Sequence, residues 1–333
     1  AVYRDGRPER GVDPGRLRAA LGALDGRGSG GAVLSACVQL ATVLPLLAEA
    51  GRSGAGPAAE AAGRMLDGRS VIALAATDAG SGSDLTALDT EVRDADGGLV
   101  VTGTKRWITN ALHADLLLVL ARRRPGPHFT NFSWLLVPAD APGVHIEAAG
   151  AAHFAGAGTG HIRLDAVRLA PDAVVGGAGR GLPLFARHIA VERLAGGMWA
   201  AALCRRALAD TLAWLTARGL WDNPVIRQRF ADALVRTHQL DALVTAMGPG
   251  IAERHDHGAA AVVKAAAGTT ADHVLDACAH LLGAEGFTAG GMQERRLEAA
   301  LFGIAGGATE VVRAGVADHA AALLAALAPE RDR

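Results

Sequence analysis

A change of periodicity in the middle of the chain limits its possible folds more than any other feature. Before residue 73 and after residue 176, apolar side chains recur three and four apart. Between those points they come in short runs closed by turn residues. The runs are Leu99–Thr102, Leu116–Ala121, Trp134–Val137, His161–Leu164 and Val167–Leu169. Between them stand Asp96-Gly97-Gly98, Pro125-Gly126-Pro127 and Ala141-Pro142-Gly143. Apolar runs punctuated by Gly and Pro read as strands joined by turns. Lengths of about four to six residues suit a small barrel or sandwich.

The flanks read as helices. Leu17–Leu24 and Ala32–Ala50 come first. Beyond the strands, Leu203, Ala207, Leu208, Leu212 and Leu215 share one face, as do Phe230, Leu234, Leu240, Leu243 and Met247. Val262–Leu282 and Thr309–Leu327 follow. Four amphipathic segments with short connections predict a four-helix bundle. The expected architecture is α+β and multidomain: a helical domain over 1–72, a β-barrel or sandwich domain over 73–176 and the bundle over 177–333.

Composition narrows the function. Among 333 residues, 33 Lys and Arg stand against 34 Asp and Glu. Such a balance gives no field for nucleic acid or an acidic membrane surface. Cys37, Cys204 and Cys278 are too few and too scattered for a disulfide framework or a zinc site, which predicts a reducing, cytoplasmic setting and no metal. The opening residues AVYRDGRPER lack the apolar stretch of a signal peptide, and no run of about 18 apolar residues predicts a membrane span.

Two segments carry chemistry. Thr77-Asp78-Ala79-Gly80-Ser81-Gly82-Ser83-Asp84 follows the strand-like run Val71–Ala76. A loop so dense in Gly and Ser can offer N–H groups and hydroxyls to a phosphate or the polar edge of a heterocycle. Gly103-Thr104-Lys105-Arg106-Trp107-Ile108-Thr109-Asn110 follows a strand and offers a flat apolar wall with one hydroxyl. Alone, the first reads as a surface turn and the second as an edge strand with a core Trp. About one β-hairpin apart, they are far more specific together.

The pair resembles the acyl-CoA dehydrogenase family, whose signatures run close to T-E-P-G-A-G-S-D and G-x-K-x-W-I-T-N. Helices, a β domain and a bundle in that order are also the family's. The resemblance implies FAD, with Thr77, Gly82 and Ser83 hydrogen-bonding flavin or substrate and Trp107, Ile108 and Thr109 flanking the ring. It implies a shared FAD site in a homodimer or homotetramer. Arg218 then reaches the partner's pyrophosphate, although a solvated helix end explains it equally well. His280-Leu281-Leu282-Gly283-Ala284-Glu285-Gly286-Phe287 resembles the family's Q-x-x-G-G-x-G-Y/F, with Gly283 at the cofactor and His280 in place of the glutamine. Glu310 matches a cofactor-associated position.

Removing hydrogen from Cα–Cβ of a thioester needs a base for the α-proton, while flavin N5 accepts the β-hydride. Most of the family carries that base in Y-E-G-T. The matching stretch here is Ile304-Ala305-Gly306-Gly307-Ala308-Thr309-Glu310, with Gly306 in the glutamate's place. A minority, acting on isovaleryl and long-chain thioesters, carries it in E-R-L, which Val191-Glu192-Arg193-Leu194 matches. Glu192 is therefore the expected base, the alternative being a surface ion pair. Arg193, Ser83, Gly306 and Gly307 are expected to border the substrate. The helical stretch before residue 73 is shorter than the family's, consistent with an acyl carrier protein as well as acyl-CoA as partner. Electron-transfer flavoprotein is a further possible partner. The competing readings are a flavin oxidase or monooxygenase on this fold, and a member with no catalysis.

Overall fold

The structure, a computed structural model, describes residues 2–52 and 54–327. In chain order its helices and strands begin with α1 (Pro14–Arg27), α2 (Gly30–Val38), α3 (Leu44–Ala50) and α4 (Pro57–Leu66). The strands are β1 (Ile72–Ala75), β2 (Glu91–Ala95), β3 (Gly98–Ile108), β4 (Leu116–Arg122), β5 (Phe132–Pro138), β6 (Val144–Ala148), β7 (Gly160–Leu169) and β8 (Val174–Val175). Then come α5 (Gly181–Ala217), α6 (Pro224–Arg254), α7 (His257–Leu282), α8 (Met292–Ala299), α9 (Thr309–Asp318) and α10 (Ala320–Ala326). Contacts group them into two units: one takes the chain to Val12 and Gly31–Ile189, the other Asp13–Gly30 and the chain from Ala190 onward. The opening helical stretch is thus divided between the two, because α1 packs with the later helices.

In the first unit the strands run in the order β6-β7-β3-β2-β4-β5-β8, with β1 parallel to β4. β2 meets β4 through a single pair, Glu91 with Arg122, so the sheet bends there into two halves. Inward residues of both halves, among them Val101, Leu117, Val119, Leu135, Ile162 and Leu164, share one apolar core. The two short runs expected at His161–Leu164 and Val167–Leu169 are one ten-residue strand, β7. It passes Ala166 at φ +48, opposite a register shift between Val101 and Gly103 of β3. A bulge lets the strand continue where a single irregular residue reads as a break.

The start of α5 is fixed to this unit. Trp134 Nε1 donates to the Gly181 carbonyl at 2.9 Å, and Trp134 packs edge-on to Phe185 at 5.6 Å. His188 and Arg187 both hold Glu49 of α3. The stretch Gly30–Ala50 is long enough and on average apolar enough to cross a membrane, although it contains no strictly apolar run of 18 residues. Its Gly, Ser, Thr and Gln residues interrupt a strictly apolar run but barely lower the mean hydropathy. In the structure 61% of that window is buried within the protein.

In the second unit α1, α6 and α7 have start signals. Asp13, Asn223 and Asp256 cap α1, α6 and α7 by accepting from the N–H groups of Arg16, Val225 and Ala259, and Pro occupies the first turn of α1 and α6. α1 is bound to α5 through Asp25, which is buried and accepts from Trp199 Nε1 and from Arg206. The last expected helix, Thr309–Leu327, divides at His319 into α9 and α10.

Gly31 shows how closely α2 approaches the loop before β7. A Cβ there would stand 2.4–2.5 Å from Phe154 O, Ala155 O and Ala157 N, all backbone atoms. Gly31→Ala should therefore lower stability by about 1–3 kcal/mol, read as the shift in the chemical-denaturation midpoint.

Candidate functional site

The two signature segments are joined by a buried ion pair. Lys105, on β3, is fully buried. Its ammonium donates to Asp78 Oδ1 at 2.5 Å, to the Leu120 carbonyl of β4 at 2.6 Å and to the Ala76 carbonyl at 3.1 Å. Those are the three bonds an ammonium can make. Asp78 is equally satisfied. It accepts from the N–H groups of Asp89 and Thr90 at 2.7 and 2.6 Å and from the Thr90 hydroxyl at 2.9 Å. The Arg106 N–H donates to the Thr77 carbonyl at 3.0 Å beside this pair. Burial pulls Lys105 from its ordinary 10.5 down to about 8, and the Asp78 carboxylate opposes that pull.

Beyond Lys105 the side chains alternate in purpose. Trp107 has φ +57 and is 60% exposed. Ile108 turns the other way into the sheet core at 3% exposure, so its side chain packs the wall from behind and does not itself face outward. Thr109 is half-buried. Asn110 has φ +68 and is buried, with no hydrogen-bond partner for its Nδ2 among the described residues. Its N–H donates to the Ala157 carbonyl at 2.8 Å. In the first segment, Thr77 is half-buried, while Gly82 and Ser83 are exposed. Ser81 is buried, and its hydroxyl also lacks a partner among the described residues. Two buried polar groups without partners are costly unless something else supplies the bonds.

The helical unit holds a second cluster. Glu192 and Arg193 are half-buried neighbours on α5. Arg193 Nε donates to the Gly306 carbonyl at 3.0 Å. Lys264, buried on α7, donates to the Phe302 carbonyl. Burial first, then the Arg193 charge, brings Lys264 from its ordinary 10.5 to about 8, while Glu310 acts the other way. Burial also lowers Arg193, and Glu192 opposes it. Gly306 and Gly307 have φ +72 and +108. A Cβ on Gly306 would lie 3.7 Å from Arg193 Cγ and 3.8 Å from Lys264 Cε. The sequence expectations Arg193, Gly306 and Gly307 are thus brought together, with Glu192 adjacent.

Arg218 and Gly283 are not part of that cluster. Arg218, past the end of α5, is exposed and lies over the Trp214 ring at 5.3 Å. Gly283 ends α7 at φ +57, donating to the His280 carbonyl. Glu310 is exposed in the first turn of α9. The residue pattern alone does not single out Asp78, Ser81, Lys105, Asn110, His161 or Lys264. The signal that was present is a Lys within a strand, at a position in step with the inward-facing Leu99 and Val101 of β3.

Residues 73–167 match the family described as acyl-CoA dehydrogenase, middle domain, and residues 179–321 match its C-terminal domain. An acyl-[acyl-carrier-protein] dehydrogenase, MbtN of Mycobacterium bovis, is 31% identical over 238 residues, 67% of this chain and 59% of that protein. The acyl-CoA dehydrogenase apdG of Emericella nidulans is 29% identical over 245 residues, 69% of this chain and 56% of that protein. The chain therefore spans less than three-fifths of the length of these relatives. Among solved structures, an acyl-CoA dehydrogenase from Geobacillus kaustophilus has a TM-score of 0.86 at 19% identity, covering 92% of this chain and 83% of that one. An FAD complex of PigA has a TM-score of 0.85 at 20% identity, covering 93% and 83%.

Removing one partner of the buried pair strands the other charge. Asp78→Ala should cost about 3–5 kcal/mol in chemical denaturation, and Asp78→Leu with Lys105→Met should recover only part of it, since the N–H groups of Asp89 and Thr90 stay unpaired. The Lys105 ammonium also loses its proton in the native protein before it does in the unfolded chain. Its contribution to stability therefore rises as pH climbs from about 8 to its ordinary 10.5, and a Lys105→Met chain should lack that part of the slope.

Proposed function

The chain belongs to the acyl-CoA dehydrogenase family through its middle and C-terminal domains, and from that premise we propose that it is an FAD-dependent dehydrogenase of acyl thioesters. One observation carries the cofactor assignment: the exposed Trp107 wall is flanked in sequence by Asn110 and accompanied by Ser81, two buried polar groups with no partner of their own. Those residues fit a flavin, which has a flat apolar face and a polar edge of donors and acceptors. Trp107 would cover the ring, Thr109 and Asn110 would meet its polar atoms, and the Ser81-Gly82-Ser83 loop would add N–H groups and hydroxyls. Arg218, Gly283 and Glu310 would hold the remainder, as part of a homo-oligomer. Bound FAD supplies the hydride acceptor.

The proton is this chain's own task. Gly306 has no side chain with which to take it, and Glu192 is the carboxylate on the α5 segment next to Arg193. Glu192 removes the α-proton. Arg193 cannot take the proton, because a guanidinium only donates, and its Nε–H donates to the Gly306 carbonyl. The glycine pair leaves the space beside Arg193 and Lys264 free of a side chain, which suits an acyl chain and its phosphopantetheine arm. That arm is common to CoA and to acyl carrier protein, and the name of the MbtN relative favours the carrier. Electrons leave by way of a flavoprotein partner.

The purified protein should be yellow and should bleach anaerobically with a suitable acyl thioester. Glu192→Gln should keep FAD and lose at least about 10²–10⁴-fold in the rate of bleaching. Unimpaired bleaching would move the base elsewhere, and a colourless protein that refuses FAD would overturn the function.

A further inference from the structure

β7 presents His161, Arg163 and Asp165 away from the core residues Ile162 and Leu164. Arg163 and Asp165 are exposed and pair with each other. His161 is only 8% exposed. What covers it is Trp107: the two rings meet edge to face at 86°, with centroids 5.2 Å apart. The Trp107 backbone N–H also donates to His161 Nδ1 at 3.2 Å. The β3–β7 ladder loses register between Lys105 and Ile108, so the N–H of Trp107 finds an imidazole nitrogen where a strand carbonyl would otherwise stand. Its backbone is also left-handed, at φ +57, a conformation that a bulky residue keeps only when its surroundings hold it there.

We propose that His161 is the positioning residue that fixes Trp107, and that it does so only as the neutral imidazole with its proton on Nε2. A nitrogen that accepts the Trp107 N–H carries no proton. Charging the ring puts one on Nδ1, and two N–H groups then face each other. The titratable and charged neighbours are few. Glu147 of β6 lies directly opposite His161 in register, and His145 lies opposite Arg163. Arg163 follows two residues on along β7, Arg106 precedes Trp107 on β3, and the Lys105 ammonium is committed to Asp78 and two carbonyls. His113, on the turn after β3, stands against Gly158. What Trp107 does once fixed rests on the flavin reading above; the coupling of Trp107 to His161 does not.

Fluorine NMR of the apoprotein grown with fluorotryptophan tests the coupling without any flavin. The chain has five tryptophans, and Trp107→Phe identifies the resonance of interest. That resonance should move as pH falls from about 8 to about 5 and stay still in His161→Asn, which keeps an acceptor but does not titrate. A resonance that is stationary in the native chain, or that moves equally in His161→Asn, overturns the proposal. FAD affinity should fall about fivefold to tenfold in His161→Leu and return to nearly the native value in His161→Asn. Equal loss in both variants would reduce His161 to a packing residue and overturn its role. Coupling in an apoprotein that never takes up FAD would uphold the positioning bond and refute the flavin reading.

Discussion

A lysine ammonium with no water around it must find all its acceptors inside the protein. Lys105 finds them on three pieces of chain: the carboxylate of Asp78, the carbonyl of Ala76 just after β1 and the carbonyl of Leu120 in the middle of β4. Asp78 in turn gathers the N–H groups of Asp89 and Thr90 at the entry to β2. One pair of charges thereby sets the position of β1, β2, β3 and β4 relative to one another, close to where β2 and β4 share only one ladder pair. The arrangement also decides where the Gly/Ser loop leaves the sheet and where Trp107 emerges from it. Exposed ion pairs contribute little to stability. This one matters because neither charge can be left alone in the core.

The helical unit uses cations differently. Arg193 and Lys264 each grip a carbonyl of the 302–306 stretch instead of a carboxylate. Carbonyls of an irregular loop have no helical partners, and a buried donor that reaches them satisfies both sides. The stretch is held through its backbone at Gly306 and Phe302, and through the buried Phe302 ring, which packs edge-on to Trp199 at 4.9 Å. Glycines at positive φ are compatible with that grip.

Much of this was legible in the sequence. Short apolar runs bounded by Gly and Pro located β4, β5 and β7. What escaped was of three kinds. β6 and α8 are short and polar: Val144–Ala148 carries His145 and Glu147, and Met292–Ala299 is mostly charged, so neither shows an apolar period. β7 was divided because its bulge at Ala166 interrupts alternation. The third kind concerns partners. Lys105, Ser81 and His161 look like surface residues of a strand or loop, and only their neighbours in space show that they are buried. For Ile108, adjacency to Trp107 suggested a shared role, yet successive residues of a strand face opposite sides.

The hairpin connecting β2 to β3 lies within the segment that the Asp78–Lys105 clasp closes, but none of its turn residues takes part in the clasp. Its tip, Asp96-Gly97, is exposed, and a Cβ on Gly97 would meet nothing within 4 Å. The next residue is a hard limit, since a Cβ on Gly98 would come 2.3 Å from the Leu169 carbonyl. Residues inserted at that tip would project from an exposed turn and leave the clasp and the tryptophan where they are, whereas removing one from this two-residue turn would shift the β2–β3 register and turn the strand's side chains to the other face.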